Sequence, residues 1–307
     1  MALYNEFYGL RDSPFTLNPD PRFLFLSRRH REALAGLVHA VDEGKGFAVL
    51  AGEVGTGKTT LIHALLTELG DRARSALIFN PGVSRYDLYV HLLSEFRLPP
   101  HDSVLACIRS LQAFLLEQFE AGMRVVVILD EAHALSPEIL EEVRLLSNFE
   151  TSQSKLLQVL LAGQPELTER LRTPGLRQLR QRIALRLELA PLAFEETVAY
   201  IRSRVAAVGG PADLFQPGAY EHIYRLSGGI PRLINVLCDN ALLTGFARDH
   251  EQVSGELVRV AGEDLDLQPV VRLGLWQRWR GPHRRPAAFD GAGDIENQGF
   301  RVLEVAK

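Results

Sequence analysis

The chain has 307 residues, 46% of them hydrophobic and 23% charged, with a formal net charge of −4. This suits a soluble globular protein and excludes collagen-like, fibrous and wholly disordered chains. No apolar run approaches the ~18–20 residues needed to span a bilayer; the longest central one is Val125–Leu129. The opening MALYNEFYGLRDSP has no basic stretch followed by an apolar one, so no secretory leader is expected. Cys107 and Cys238 match no metal-ligand spacing and read as reduced core thiols. The expectation is a cytoplasmic protein in which any contact with nucleic acid or an anionic membrane uses a local patch.

In chain order, residues 1–29 form an opening segment, and short apolar runs then alternate with amphipathic stretches through residue 192. Residues 46–52 (GFAVLAG), 75–80 (SALIFN), 124–130 (RVVVILD), 156–163 (LLQVLLAG) and 184–191 (ALRLELAP) predict strands. Their aliphatic continuity predicts burial on both faces. Helices are expected over 59–69, 85–96, 103–121 and 137–149, the last with Ser136 as N-cap and Pro137 in its first turn. The alternation predicts an α/β fold, a doubly wound parallel sheet over residues 30–192. Beyond Pro191 the strand signal stops. Stretches 194–208, 217–226, 231–248 and 254–265 predict a small all-helical domain over 193–267. Residues 268–307, containing WQRWRGPHRRPAAFDGAGD, read as a flexible tail rich in Pro, Gly and Arg.

Residues 52–59, GEVGTGKT, fit the G-x-x-x-x-G-K-[ST] phosphate loop between a strand and a helix. Glycines 52, 55 and 57 allow close wrapping of the backbone, so that the amides of Glu53, Val54, Thr56 and the residues through Thr60 can face phosphate oxygens. The start of the following helix adds its positive dipole end. Lys58 is expected on the β- and γ-phosphates, and the Thr59 hydroxyl on Mg²⁺. Asp130 and Glu131 end an aliphatic strand. Asp130 would hold Mg²⁺, and Glu131 would orient or deprotonate the attacking water. The string Asp130-Glu131-Ala132-His133 also invites a helicase reading. That reading is poor because the residues after 192 look helical and do not supply a second complete nucleotide-binding domain; His133 is expected to cap or pack next to the site and is assigned no role. Gln164, after the fourth strand, is a candidate sensor of γ-phosphate and water. Arg177, Arg180 and Arg182 precede the last strand and could reach a neighbouring subunit's site, with Arg182 the first choice and Arg180 the second. Arg232, in GGIPRLIN, starts a helix from which it could reach back to the nucleotide.

Together these motifs resemble those of the AAA+ ATPases, across residues 1–266. The opening FYGLRDSPFTLNPDPRFLFLSRRHREAL, with GQPEL, LRQLRQRI and GGIPRLIN, is similar to the general secretion pathway protein A (ExeA-type) group and its pilus- and exosortase-locus relatives. The resemblance implies ATP and Mg²⁺ as cofactors, an arginine finger within 177–182, a helical lid carrying Arg232, and Phe15, Pro21 and Arg28–His30 near the adenine or the subunit joint. That group commonly continues into a membrane helix and a periplasmic domain, so a chain of this length is expected to resemble the pilus and exosortase relatives more.

Three functions follow as expectations. The first is an oligomeric cytoplasmic ATPase that assembles or energises a secretion, pilus or polysaccharide-export apparatus beside an inner-membrane partner. The second is a DNA-associated regulator of transposition-helper or initiator type, using Arg28, Arg29, Arg31, the 177–182 arginines and Arg278, Arg280, Arg284 and Arg285. The third is peripheral membrane contact through Trp276 and Trp279 with the tail arginines.

Overall fold

The computed structural model describes residues 3–271, apart from Pro19, residues 80–83 and Gln153. The expected tail, with its tryptophans and arginines, lies outside the described residues. Helix α1 (Arg28–Asp42) begins at Ser27, whose hydroxyl accepts from the His30 amide. Strand β1 (Phe47–Gly52) then feeds the phosphate loop, and α2 (Lys58–Leu69) leaves it. The alternation continues through β2 (Ala73–Ile78), α3 (Arg85–Glu95), α4 (Val104–Glu120) and β3 (Arg124–Leu129). Next come α5 (Pro137–Leu146), β4 (Gln158–Gly163), α6 (Pro165–Leu171), α7 (Arg177–Arg182) and β5 (Ile183–Leu189). The strands form one parallel sheet in the order β2-β3-β4-β1-β5.

Side-chain alternation divides the sheet's residues between two cores. Phe47, Val49, Val125, Val127, Leu129, Val159 and Leu161 face α3, α4 and α5, and Cys107 is buried in that layer. Ala48, Leu50, Val126, Ile128, Leu160 and Ala162 face α1 and α2. The central strands β1, β3 and β4 are accordingly buried along both faces, except at Arg124. The expectation of two buried faces does not hold for the edge strands. In β5, Leu185 and Leu187 approach Gly36 of α1, while Ala184, Arg186 and Glu188 are exposed. In β2, Arg74 and Ser75 are exposed. An outermost strand has a neighbour on one side only and is less completely covered.

Four helices, α8 (Phe194–Ala207), α9 (Pro217–Ser227), α10 (Pro231–Ala247) and α11 (Gly255–Asp264), follow the sheet and enclose a third core with Cys238 inside it. Tyr4, Tyr8, Leu10, Phe15 and Phe23 of the opening segment belong to this same core. The buried Arg204 of α8 holds that segment by donating to the carbonyls of Pro14 (2.5 Å) and Thr16 (3.1 Å). Its guanidinium also lies 4.5 Å from the Phe23 ring centre. Among the described residues no helix is long and apolar enough to cross a membrane.

Candidate nucleotide site

The carboxyl ends of β1, β4 and β3 lie side by side, because β4 pairs with both of the others. Ligands of open α/β sheets bind outside such strand ends, where the winding direction changes. This brings three sequence candidates to one edge: the loop after β1, Gln164 after β4, and the acidic pair after β3.

In the loop, Gly55 and Gly57 have φ of +81° and +98°, the left-handed region that an L side chain enters only with strain. A Cβ on Gly55 would lie 2.6 Å from Cβ of Arg232, and one on Gly57 would lie 3.1 Å from Nε2 of His30. The Lys58 ammonium donates to the carbonyls of Gly52 (2.8 Å) and Glu53 (3.1 Å). Burial holds it below its ordinary pKa, against the opposite pull of the Glu131 and Asp130 carboxylates. The Thr59 hydroxyl donates to Oδ2 of Asp130 at 2.9 Å, and the other carboxylate oxygen accepts the Glu131 amide at 2.9 Å. A hydroxyl and a carboxylate in contact are hard oxygen donors, a set that suits Mg²⁺ when phosphate and water complete its shell. Thr60 follows in the first turn of α2.

Glu131 has φ +53° and an exposed carboxylate. The 3₁₀ turn Ala132–Ala134 folds the chain back, leaving Nδ1 of His133 3.4 Å from Oε2 of Glu131. Gln164, the N-cap residue of α6, reaches the same ring, its side-chain amide lying 3.0 Å from Nε2. His133 therefore packs next to the site as expected and touches two of the candidate residues, its contact with Gln164 being the part that sequence reasoning missed. Its proximity to Glu131 in the chain was the one available signal. In the sequence, His30 stands out only within the Arg28–His30 stretch. Its Nε2–H donates to the Thr56 carbonyl (3.0 Å), and Nδ1 accepts from Ser27 Oγ (2.7 Å). Burial lowers its pKa, which favours this neutral tautomer.

The lid meets the loop directly. The Arg232 amide, in the first turn of α10, donates to the Gly55 carbonyl at 3.3 Å, and its side chain is exposed. Phe15 lies in the lid core, edge-on to Phe215, and Pro21 opens a 3₁₀ turn. Arg28, Arg29 and Arg31 are exposed on α1. The three α7 arginines are not brought to this edge. Ile183 pairs with Phe47, at the amino end of β1, whereas the phosphate loop leaves its carboxyl end. Arg182 donates to Ser147 Oγ, Arg180 reaches the Arg172 carbonyl at 3.4 Å, and Arg177 is exposed.

Residues 41–171 match the AAA domain family. The chain is 45% identical over 278 residues to General secretion pathway protein A of Aeromonas hydrophila, covering 90% of this chain and 50% of that protein. It thus spans about half the length of the curated relative it matches. Its fold is similar to that of the Aeropyrum pernix ORC2 protein in ADPNP–ADP complexes, with 20% identity, a TM-score of 0.60, and coverage of 82% of this chain and 71% of that one. It is also similar to Cdc6p from Pyrobaculum aerophilum, with 17% identity, a TM-score of 0.64, and coverage of 82% and 70% respectively. The chain thus has the fold of the AAA+ P-loop NTPases, with an AAA domain at residues 41–171, and resembles General secretion pathway protein A over nine-tenths of its length.

Proposed function

We propose that this chain is an ATP hydrolase that binds MgATP at a site shared between subunits. In this reading it assembles or energises a secretion, pilus or polysaccharide-export apparatus at the cytoplasmic side of an inner-membrane partner. The observation that carries the hydrolytic reading is the Thr59–Asp130 hydrogen bond of 2.9 Å beside the buried Lys58. The secretion reading is supported by the 45% identity to General secretion pathway protein A.

Lys58 would exchange its two loop carbonyls for phosphate oxygens, and the amides from Glu53 to Thr60 would surround them. Thr59 and Asp130 would hold Mg²⁺, which when bound offsets negative charge on the phosphates. Glu131 would orient and deprotonate the attacking water, and Gln164 would contact the γ-phosphate. Arg232, seated on Gly55, would couple the nucleotide to the lid. Arg182 of a neighbouring subunit, or Arg180 in its place, would stabilise transition-state charge.

The test is steady-state ATP hydrolysis over a range of protein concentrations, with and without duplex DNA. A rate per subunit that rises with concentration and ignores DNA supports the shared-site export ATPase. Stimulation by DNA that is lost at high salt supports instead the DNA-associated reading, for which the exposed arginines of α1 supply a basic patch. The variant Glu131→Gln should keep ATP binding and lose turnover by roughly 10²–10⁴-fold. Normal hydrolysis in that variant removes the water-preparing role.

A further inference from the structure

We propose that His133 is a positioning residue that couples Glu131 to Gln164, one ring nitrogen facing the carboxylate and the other the amide. The inference rests on the hydrolytic reading of Glu131 given above. The left-handed φ of Glu131 and the Ala134 amide donating to the Glu131 carbonyl at 2.9 Å close a tight turn. That turn carries the His133 ring back beside the carboxylate instead of onward along the chain. Arg170, near the end of α6, fixes the turn by donating to the His133 carbonyl and, at 2.5 Å, to that of Leu135. Helix α6 therefore holds the turn through Arg170 and meets the ring through its N-cap residue Gln164.

A neutral imidazole has one donor and one acceptor, so the ring cannot serve every neighbour at once. With the proton on Nδ1, its N–H faces Oε2 of Glu131 in a polar contact of 3.4 Å, and Nε2 accepts an N–H of the Gln164 side-chain amide at 3.0 Å. With the proton on Nε2, Nδ1 accepts the Gln164 main-chain amide at 3.4 Å. The side-chain amide then turns its oxygen to the ring, and Glu131 has no donor from it. What Gln164 offers the ring thereby decides whether Glu131 is held or released. A change sensed at the end of β4 can reach the water-preparing carboxylate through one hydrogen bond and one polar contact.

The test compares His133→Ala, His133→Asn, Gln164→Ala, the His133→Ala/Gln164→Ala double variant and Glu131→Gln, in the full chain. Each is assayed for ATP turnover, ATP affinity and thermal unfolding. Loss of positioning should lower kcat in His133→Ala on the order of 10²-fold. The Kd for ATP should stay within about two-fold. Asparagine offers both a donor and an acceptor and should recover part of the rate. In the double variant the losses should not multiply, because both residues act through one network. Wild-type kcat in His133→Ala overturns the proposal. So does loss of rate in step with ATP affinity and melting temperature, or fully multiplicative losses in the double variant. Glu131→Gln separates the two levels of failure. A dead Glu131→Gln beside an unimpaired His133→Ala removes only the coupling, whereas a fully active Glu131→Gln removes the reading beneath it as well.

Discussion

His30 shows how one side chain can set the shape of a phosphate loop without belonging to it. Its ring is buried, bonded to Thr56 and Ser27, and would crowd a Cβ on Gly57 at 3.1 Å. Replacing it with alanine removes both hydrogen bonds and should destabilise the protein by about 1–3 kcal/mol. Glutamine keeps an N–H to offer Thr56 and should cost less. The ring's lowered pKa also gives the effect a pH dependence. Above about pH 6.5 the ring is neutral in folded and unfolded chains alike, and the shift contributes nothing. As pH falls below that value the unfolded chain takes up the proton first, so stability declines until the folded-state pKa is passed. Between pH 7.5 and 5.5 the melting temperature of the wild type should therefore fall further than that of His30→Gln. Parallel curves for the two proteins would place the acid sensitivity in other groups.

At the scale of elements, the opening segment is an integral layer of the lid. Arg204 is the tie, a buried cation among the carbonyls of Pro14 and Thr16, the Tyr200 hydroxyl at 2.7 Å and the Phe23 ring. Arg204→Met keeps most of the apolar stem but removes these donors, at an expected cost of roughly 2–4 kcal/mol. Trypsin should then cut at Arg11 and Arg22 sooner than in the wild type, while the α/β core persists. Unchanged cleavage there would mean the apolar contacts alone hold the segment. None of this was legible in the sequence, because Arg204 and Pro14 are 190 positions apart and no local pattern links them. What was legible is local chemistry. The contiguous aliphatics of β1, β3 and β4 and the fixed glycine spacing of residues 52–59 mark the strands and the loop by themselves. The edge strands were misread for a related reason. ALRLEL already alternates, but only its place in the sheet shows that one face is uncovered. His133 was readable as a neighbour of Glu131 but not as a partner of Gln164, since that contact depends on β3 and β4 lying side by side.

At the scale of the whole molecule, the shared-site reading turns on where Arg182 stands in the sheet. Arg182 precedes β5, whose Ile183 pairs with Phe47, so a full strand of six residues separates it from the loop after Gly52. At ~3.3 Å per residue that is about 20 Å, beyond the reach of one side chain within its own subunit. In the shared-site reading proposed above, an arginine so placed would serve a neighbour's site, and this makes a sharper prediction than concentration dependence alone. Arg182→Ala should bind ATP and fail to turn it over, as should Glu131→Gln, but for reasons on opposite sides of a subunit joint. In a mixture of the two, a site whose own residues come from Arg182→Ala and whose neighbour is Glu131→Gln has both an intact glutamate and an intact arginine. Random assembly of equal amounts in a closed ring makes about a quarter of the joints of this kind. Mixing two inactive proteins should therefore restore about a quarter of the wild-type rate per subunit, where each joint works independently. If Arg180 is the true finger, Arg182→Ala alone stays active and the mixture made with Arg180→Ala recovers instead. Should both single variants be inactive and neither mixture recover, the arginine does not act across a joint, and the shared site is refuted even if ATP is hydrolysed.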